Sequence, residues 1–335
     1  MAQEQLASDR VQVTADAIEF YYEKGWTDGL PVVPATEARV REFLAHGGKH
    51  PSDVIGVVPT RGRVITAEKV AINAVMAGCK PEYMPVVLAA VEAMCEPPFN
   101  WHGCLASTGG SAVFMIVNGP ITRHLGINGG VNCFGPGFRA NATIGRAIRL
   151  IIINVTGGVP GVLDKSTFGH GGKYSMCIAE NEDASPWEPL HVERGLKPND
   201  SAVTVLAVHP PLQFADQISN KPEEMLASCA DNMAVYGPNL GEVVIAWSPE
   251  HVRVFREAKW PKRRGAEWLA ERATISLSKL QKYTSESPSV SKQVVKGPEA
   301  IVQIVAGGDA GIFSCIVPPW GGGHMSKSVT KKIQG

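Results

Sequence analysis

Residues 112–150 read AVFMIVNGPITRHLGINGGVNCFGPGFRANATIGRAIRL. The stretch opens on an apolar run, Ala112 to Val117, that stops at Asn118-Gly119-Pro120. A short apolar run closed by turn residues reads as a strand buried on both faces. From about residue 142 to 152 apolar residues recur at helical spacing, so a helix packed along one side follows. Between the two lie Gly126, Gly129, Gly130, Gly135 and Gly137. Strand, loop and helix in direct succession is the repeating unit of an α/β protein.

Each glycine costs backbone entropy, so five in twelve residues need a reason. The sequence predicts a loop that lets a ligand approach its backbone. Asn141 is expected to cap a helix beginning at Ala142, leaving free N–H groups that favour an anion. Arg139 and Arg146 flank that helix start, and Gly135 and Gly137 precede it. A substrate carboxylate is expected there. The glycine spacing matches neither the dinucleotide fingerprint nor the P-loop.

Outward from this unit the same texture continues. VIGVVPTRGRVITAEKVAINAVMAG, 54–78, predicts strand, turn, short strand and helix, with Thr66 as cap and Gly78 as terminator. VTVLAV, EVVIAW and AIVQIVAGG after residue 201 add further strands. The fold expected is α/β, with mixed sheets and helices packed on their faces. A larger domain over 1–200 and a second α/β subdomain over 201–335 are expected, joined by GLKPND.

With 44% hydrophobic and 19% charged residues and zero formal net charge, the chain is globular, and nucleic acid is not an expected ligand. Its most apolar stretch, LIIINV at 150–155, is too short to span a membrane. The N-terminal residues lack the pattern of a signal peptide, so the expected location is the cytoplasm. The seven cysteines are odd in number and form no C-x-x-C, which fits reduced thiols rather than disulfides or a zinc ribbon.

Four further stretches could carry chemistry. Cys79 stands before a helix start and next to Lys80, a setting that favours a thiolate, with Glu82 as proton acceptor. FNWHGCLASTGG, 99–110, gathers His102, Cys104, Ser107 and Thr108, suited to acid–base or nucleophilic work. Residues 164–195 concentrate Asp164, His170, Lys173, Glu180, Glu188, His191 and Glu193. Lys173 there would hold an anion, and His170, His191 and Glu193 are the set for a divalent metal ion, the alternative to an enzyme without cofactor. Asp309, Ser314 and His324 lie in a second glycine-rich stretch that could close over the site or meet a partner chain.

GWTDGLPVVPATEARV, GPGFRANATIGRAIRL, GKYSMCIAENEDASPWEPLHVERG and VAGGDAGIFSCIVPPWGGG together resemble a bacterial family found beside, or fused to, the domain named for its Sec/Cys-Gly-Ser-Cys (UGSC) motif. The resemblance implies a thiol-dependent or oxidoreductase-like role with a redox-active partner subunit. This chain has no Cys-Gly-Ser-Cys, and its nearest match is FSC at 313–315. The resulting expectation is a small-molecule enzyme for an anionic, carboxylate-type substrate, using Cys79 or Cys104 with His102. It would work as a homo-oligomer or with a related subunit. The other readings are a His/His/Glu metal enzyme and a substrate-binding subunit of a UGSC-type complex.

Overall fold

The computed structural model describes residues 5–12, 16–283, 290–321 and 325–334. Among them the helices are α1 (Ala17–Glu23), α2 (Glu37–His46), α3 (Ala67–Ala77), α4 (Met84–Cys95), α5 (Trp101–Leu105), α6 (Ile121–Leu125), α7 (Arg139–Asn154), α8 (Leu190–Glu193), α9 (Pro222–Ala234), α10 (Pro249–Glu257) and α11 (Lys262–Arg272). The strands are β1 (Val54–Val58), β2 (Arg63–Thr66), β3 (Ala112–Asn118), β4 (Cys177–Ala179), β5 (Ala202–Val208), β6 (Leu212–Ala215), β7 (Val243–Trp247), β8 (Thr274–Ser276), β9 (Ser291–Gln293), β10 (Ile301–Val305), β11 (Phe313–Val317) and β12 (Val329–Lys332).

The expected mixed α/β fold is present. One sheet runs β12-β5-β3-β4, with β3 and β4 parallel and its other pairs antiparallel. A second runs β10-β7-β11-β6, with β10 and β7 parallel. The side-chain period of two assigns the layers. In β3, Phe114 and Ile116 face the second sheet and pack with Val244 and Ile304, while Met115 and Val117 face α3, α4 and α7. In β7, Val244 and Ala246 face the first sheet, while Ile245 and Trp247 pack with Met225, Phe255 and Leu269 of α9, α10 and α11. The architecture is therefore four layers, helices–sheet–sheet–helices. Strands covered on both sides explain the continuous apolar runs.

Local signals place the helix ends. Thr66 accepts a hydrogen bond from the Lys69 N–H at the start of α3, and Gly78 ends that helix in the left-handed region at φ 87°. The boundary expected near 200 needs correction. β5 pairs with β3 from Ala112↔Val208 to Asn118↔Ala202, and β12 pairs with β5, so the sheet that holds β3 and β4 takes its other two strands from beyond residue 200. The predicted cap is corrected too. α7 begins at Arg139 with Phe138 in the cap position, and Asn141 is a buried residue of its first turn.

No helix among the described residues is long and apolar enough to cross a membrane.

Candidate functional site

Parallel pairing puts the carboxyl ends of β3 and β4 side by side, where α/β sheets commonly build their binding crevices. β3 ends at Asn118, and Glu180 directly follows β4. The glycine loop then folds over the end of β4. A Cβ on Gly129 would sit 2.4 Å from the carbonyl oxygen of Ala179, so only glycine fits at that contact. Gly119 makes the exit turn from β3 at φ 86°, with the Asp200 carbonyl 2.2 Å from where its Cβ would stand. These walls enclose a cavity of about 580 Å³ lined by Gly129, Gly130, Phe138, Glu180, Glu182 and Asp183, among others. Gly129→Ala is expected to cost about 1–3 kcal/mol, because the overpacked atom is backbone and cannot rotate away; urea unfolding measures it, and wild-type stability would contradict the packing.

Two carboxylates share one amide at this point. Asn118 Nδ2 donates to Glu180 Oε2 at 2.7 Å and to Glu182 Oε1 at 2.9 Å. The Gly119 N–H donates to Glu182 Oε1 at 2.7 Å, and the Leu190 N–H to Glu180 Oε2 at 2.9 Å. Asn118 and Glu180 are 0% and 3% exposed. Burial pushes the Glu180 carboxyl above its ordinary value, against the pull of the Lys262 ammonium and the two donors. Asn118 Oδ1, Glu180 Oε1 and both ring nitrogens of His191 are buried without a hydrogen-bond partner. His191 Nδ1 lies 3.9 Å from Glu182 Oε1, beyond hydrogen-bond length. Buried polar atoms are almost always paired, so such a concentration behind one cavity marks it as more than packing. A carboxyl pushed toward its protonated form beside a second, half-buried carboxyl can give and take protons in one small volume.

The residues expected to bind an anion are committed elsewhere. Arg146 pairs with both oxygens of Asp28 at 2.8 Å and donates to the Leu30 and Pro31 carbonyls. Arg139 donates to the Gly78 and Cys79 carbonyls. Asn141 braces the glycine loop, donating to the Asn128 and Cys133 carbonyls and accepting from the Asn128 N–H. Gly135 is needed where a Cβ would strike the Asn132 side chain, and Gly137 adopts φ 117°. At the helix start predicted to hold an anion, both guanidinium groups are thus already bonded to protein oxygens.

The thiols are corrected as well. Cys79 is buried and donates to the Thr143 carbonyl at 3.3 Å, and burial pushes its thiol up to about 12, outweighing Arg139 nearby. Cys104 donates to the Asn100 carbonyl at 3.0 Å and is likewise pushed up to about 12. Burial raises the other five also. His102, two residues before Cys104 on α5, has a buried and unpartnered Nδ1, and Glu82 is exposed in the turn before α4. All seven thiols are expected to resist a disulfide reagent at pH 8 until the chain unfolds, since thiolate is the reacting form. Rapid labelling of Cys79 or Cys104 in the folded chain would contradict this.

The remaining candidates divide between two places. Ser107, Thr108, His170 and Lys173 meet at the opposite end of β3. There the Thr108 carbonyl accepts from the Thr167 N–H, and Lys173 Nζ lies 2.6 Å from Asp164 Oδ2 and 2.5 Å from Ser166 Oγ. Trp320 Nε1 donates to Ser107 Oγ at 2.8 Å. Lys173 is therefore held by Asp164 rather than open to a ligand. His191 stands at the Glu180 end, while Glu193 pairs with Lys262 at 2.9 Å. The proposed metal set is thus split. Among the described residues no group of three His, Cys, Asp or Glu side chains could hold a metal ion. Asp309 is exposed, Ser314 is buried against His251 at 2.8 Å, and His324 lies outside the described residues.

Sequence reasoning missed Asn118, Glu182 and Lys262, and treated Glu180 only as one acidic residue of a cluster. The available signal was positional. Asn118 and Glu180 are the first polar residues after two fully apolar strands, where a strand end meets a loop. Neither a family model nor a curated protein sequence matches the chain.

Proposed function

We propose that the chain is a small-molecule enzyme working by acid–base chemistry in the cavity at the ends of β3 and β4. Glu180 serves as the acid, Glu182 as the base, and Asn118 holds the two in register. The observation that carries this reading is Glu180 itself: a buried carboxyl in a residue that lines the cavity, pushed toward its protonated form and with one oxygen unpartnered. Enzymes raise carboxylic acids in this way to keep a proton available near neutral pH. The raised thiols lend no support to the thiol-assisted chemistry expected from the sequence.

Incubating the purified chain with a mixture of metabolites, followed by mass spectrometry, tests the reading. A compound consumed by wild type and by Cys79→Ser and Cys104→Ser, but not by Glu180→Gln, is the expected result. Consumption lost in a cysteine variant and kept in Glu180→Gln would overturn it. The expected oligomer draws support from Phe168, 98% exposed, and Val162, 71% exposed, on one surface loop. Seven unpaired cysteines support a reducing, cytoplasmic setting.

A further inference from the structure

The carboxyl groups of Glu180, Glu182 and Asp183 line the cavity. Glu180 Oε1 has no partner. Glu182 spends Oε1 on the Gly119 N–H and the Asn118 amide. Three backbone donors nearby are bonded within the protein: the Gly130 N–H to Asn128 Oδ1, the Asn181 N–H to the Val305 carbonyl, and the Glu180 N–H to the Val117 carbonyl. Arg123 is the only cationic side chain among the described lining residues, and it is paired with Asp183. Three carboxyl groups thus share one wall with one guanidinium that is already engaged. Phe138, on the same lining, adds an aromatic ring of the kind that attracts cations.

A wall on which the Glu182 and Asp183 carboxylates outnumber the single guanidinium selects a positive group with N–H donors, and disfavours a carboxylate. A metal ion is the less suitable occupant, since no three His, Cys, Asp or Glu side chains among the described residues converge to hold one. We propose that this cavity receives the cationic end, ammonium or guanidinium, of a small organic molecule, with Glu182 and Asp183 as its charge partners. This names the substrate class for the acid–base reading and rests on it. It replaces the carboxylate-type substrate expected from Arg139 and Arg146, which donate to protein oxygens instead.

Titration calorimetry on the full chain tests the inference, with butylguanidinium as probe against butylurea, its neutral counterpart, and butyrate. Butylguanidinium is expected to bind about tenfold or more tightly than butylurea, the difference one charge-assisted contact represents. Glu182→Gln and Asp183→Asn should each weaken it by a similar factor. Arg123→Gln, which removes the competing cation, should tighten it several-fold, and a folding defect would not produce that gain. Glutamine at 182 keeps an oxygen for Gly119 and Asn118, so that variant should fold. No binding of butylguanidinium, preference for butyrate, or weaker binding in Arg123→Gln would each overturn the proposal. If an anionic or neutral compound is consumed through Glu180 while butylguanidinium fails to compete, the cation inference falls and the acid–base reading stands. If butylguanidinium binds as described but no compound is consumed, the acid–base reading falls and the cation site stands.

Discussion

Glu180→Gln is expected to abolish turnover and, at the same time, to stabilise the folded chain at neutral and alkaline pH. Glutamine still presents an oxygen to the Asn118 amide and the Leu190 N–H, which hold Glu180 Oε2 in the wild type. What it loses is the transferable proton. Removing a general acid commonly costs about 10²- to 10⁴-fold in rate. The stability effect has the opposite sign. Burial raises the Glu180 carboxyl above its ordinary value of 4.5, so the folded state binds the proton more tightly than the unfolded state. Its favourable contribution is complete below the unfolded value and is lost as pH rises through the folded one. Glutamine has no charged form to disfavour. The variant should match wild type near pH 4.5 and exceed it at pH 8 by on the order of 1 kcal/mol, the gain that relieving a strained functional group gives. Urea unfolding at the two pH values reads the difference. A variant that is less stable at pH 8 and still active would remove Glu180 from the mechanism.

Asp28→Ala is expected to be among the most damaging single substitutions in the chain. The Asp28 side chain is 2% exposed and the Arg146 side chain 15%. Two parallel hydrogen bonds of 2.8 Å join them, in the forked geometry that makes arginine–carboxylate pairs strong. Removing the aspartate leaves a guanidinium in the protein with its counter-charge gone, and breaking a buried pair in this way costs about 3–5 kcal/mol. Arg146 also donates to the Leu30 and Pro31 carbonyls, so the loss unpins residues 28–31 from α7. Arg146→Met should cost a comparable amount, and the Asp28→Leu, Arg146→Met double variant less than the sum, since neither charge is then stranded. Chemical denaturation measures all three. An anion-binding Arg146 would behave differently: its loss would leave stability nearly unchanged and weaken a ligand instead.

The contrast between these two side chains shows how far the sequence could be read. β3, α3 and the carboxyl half of α7 follow from local periodicity, and Thr66 and Gly78 follow from cap chemistry that needs only neighbouring residues. Arg139 and Arg146 looked free because nothing close in sequence neutralises them. Their partners come from elsewhere: Asp28 lies 118 residues from Arg146, and the Gly78 carbonyl 61 from Arg139. Cys79 looked activated because its local setting, a helix start and Lys80, is the one that lowers a thiol. Burial decides the outcome instead, and burial is a property of the whole core.

The glycine loop was legible as a place where something comes close to the backbone, but the closest approach is the Ala179 carbonyl of β4, with the cavity beside it. The fourth polar stretch was legible as rich in carboxylates and histidines. Which of them act together depends on the parallel pairing Val117↔Ala179, which brings Asn118 to Glu180 across 62 residues of sequence. By itself the sequence determined the apolar strands such as β3, the helix α3 with its Thr66 and Gly78 caps, and the α/β class, because those depend on side-chain period and on hydrogen bonds between near neighbours. Only the tertiary structure decided which charges are paired, which thiols are buried and which carboxyl is pushed toward its protonated form. Those outcomes depend on partners and desolvation that exist only once the layers have packed.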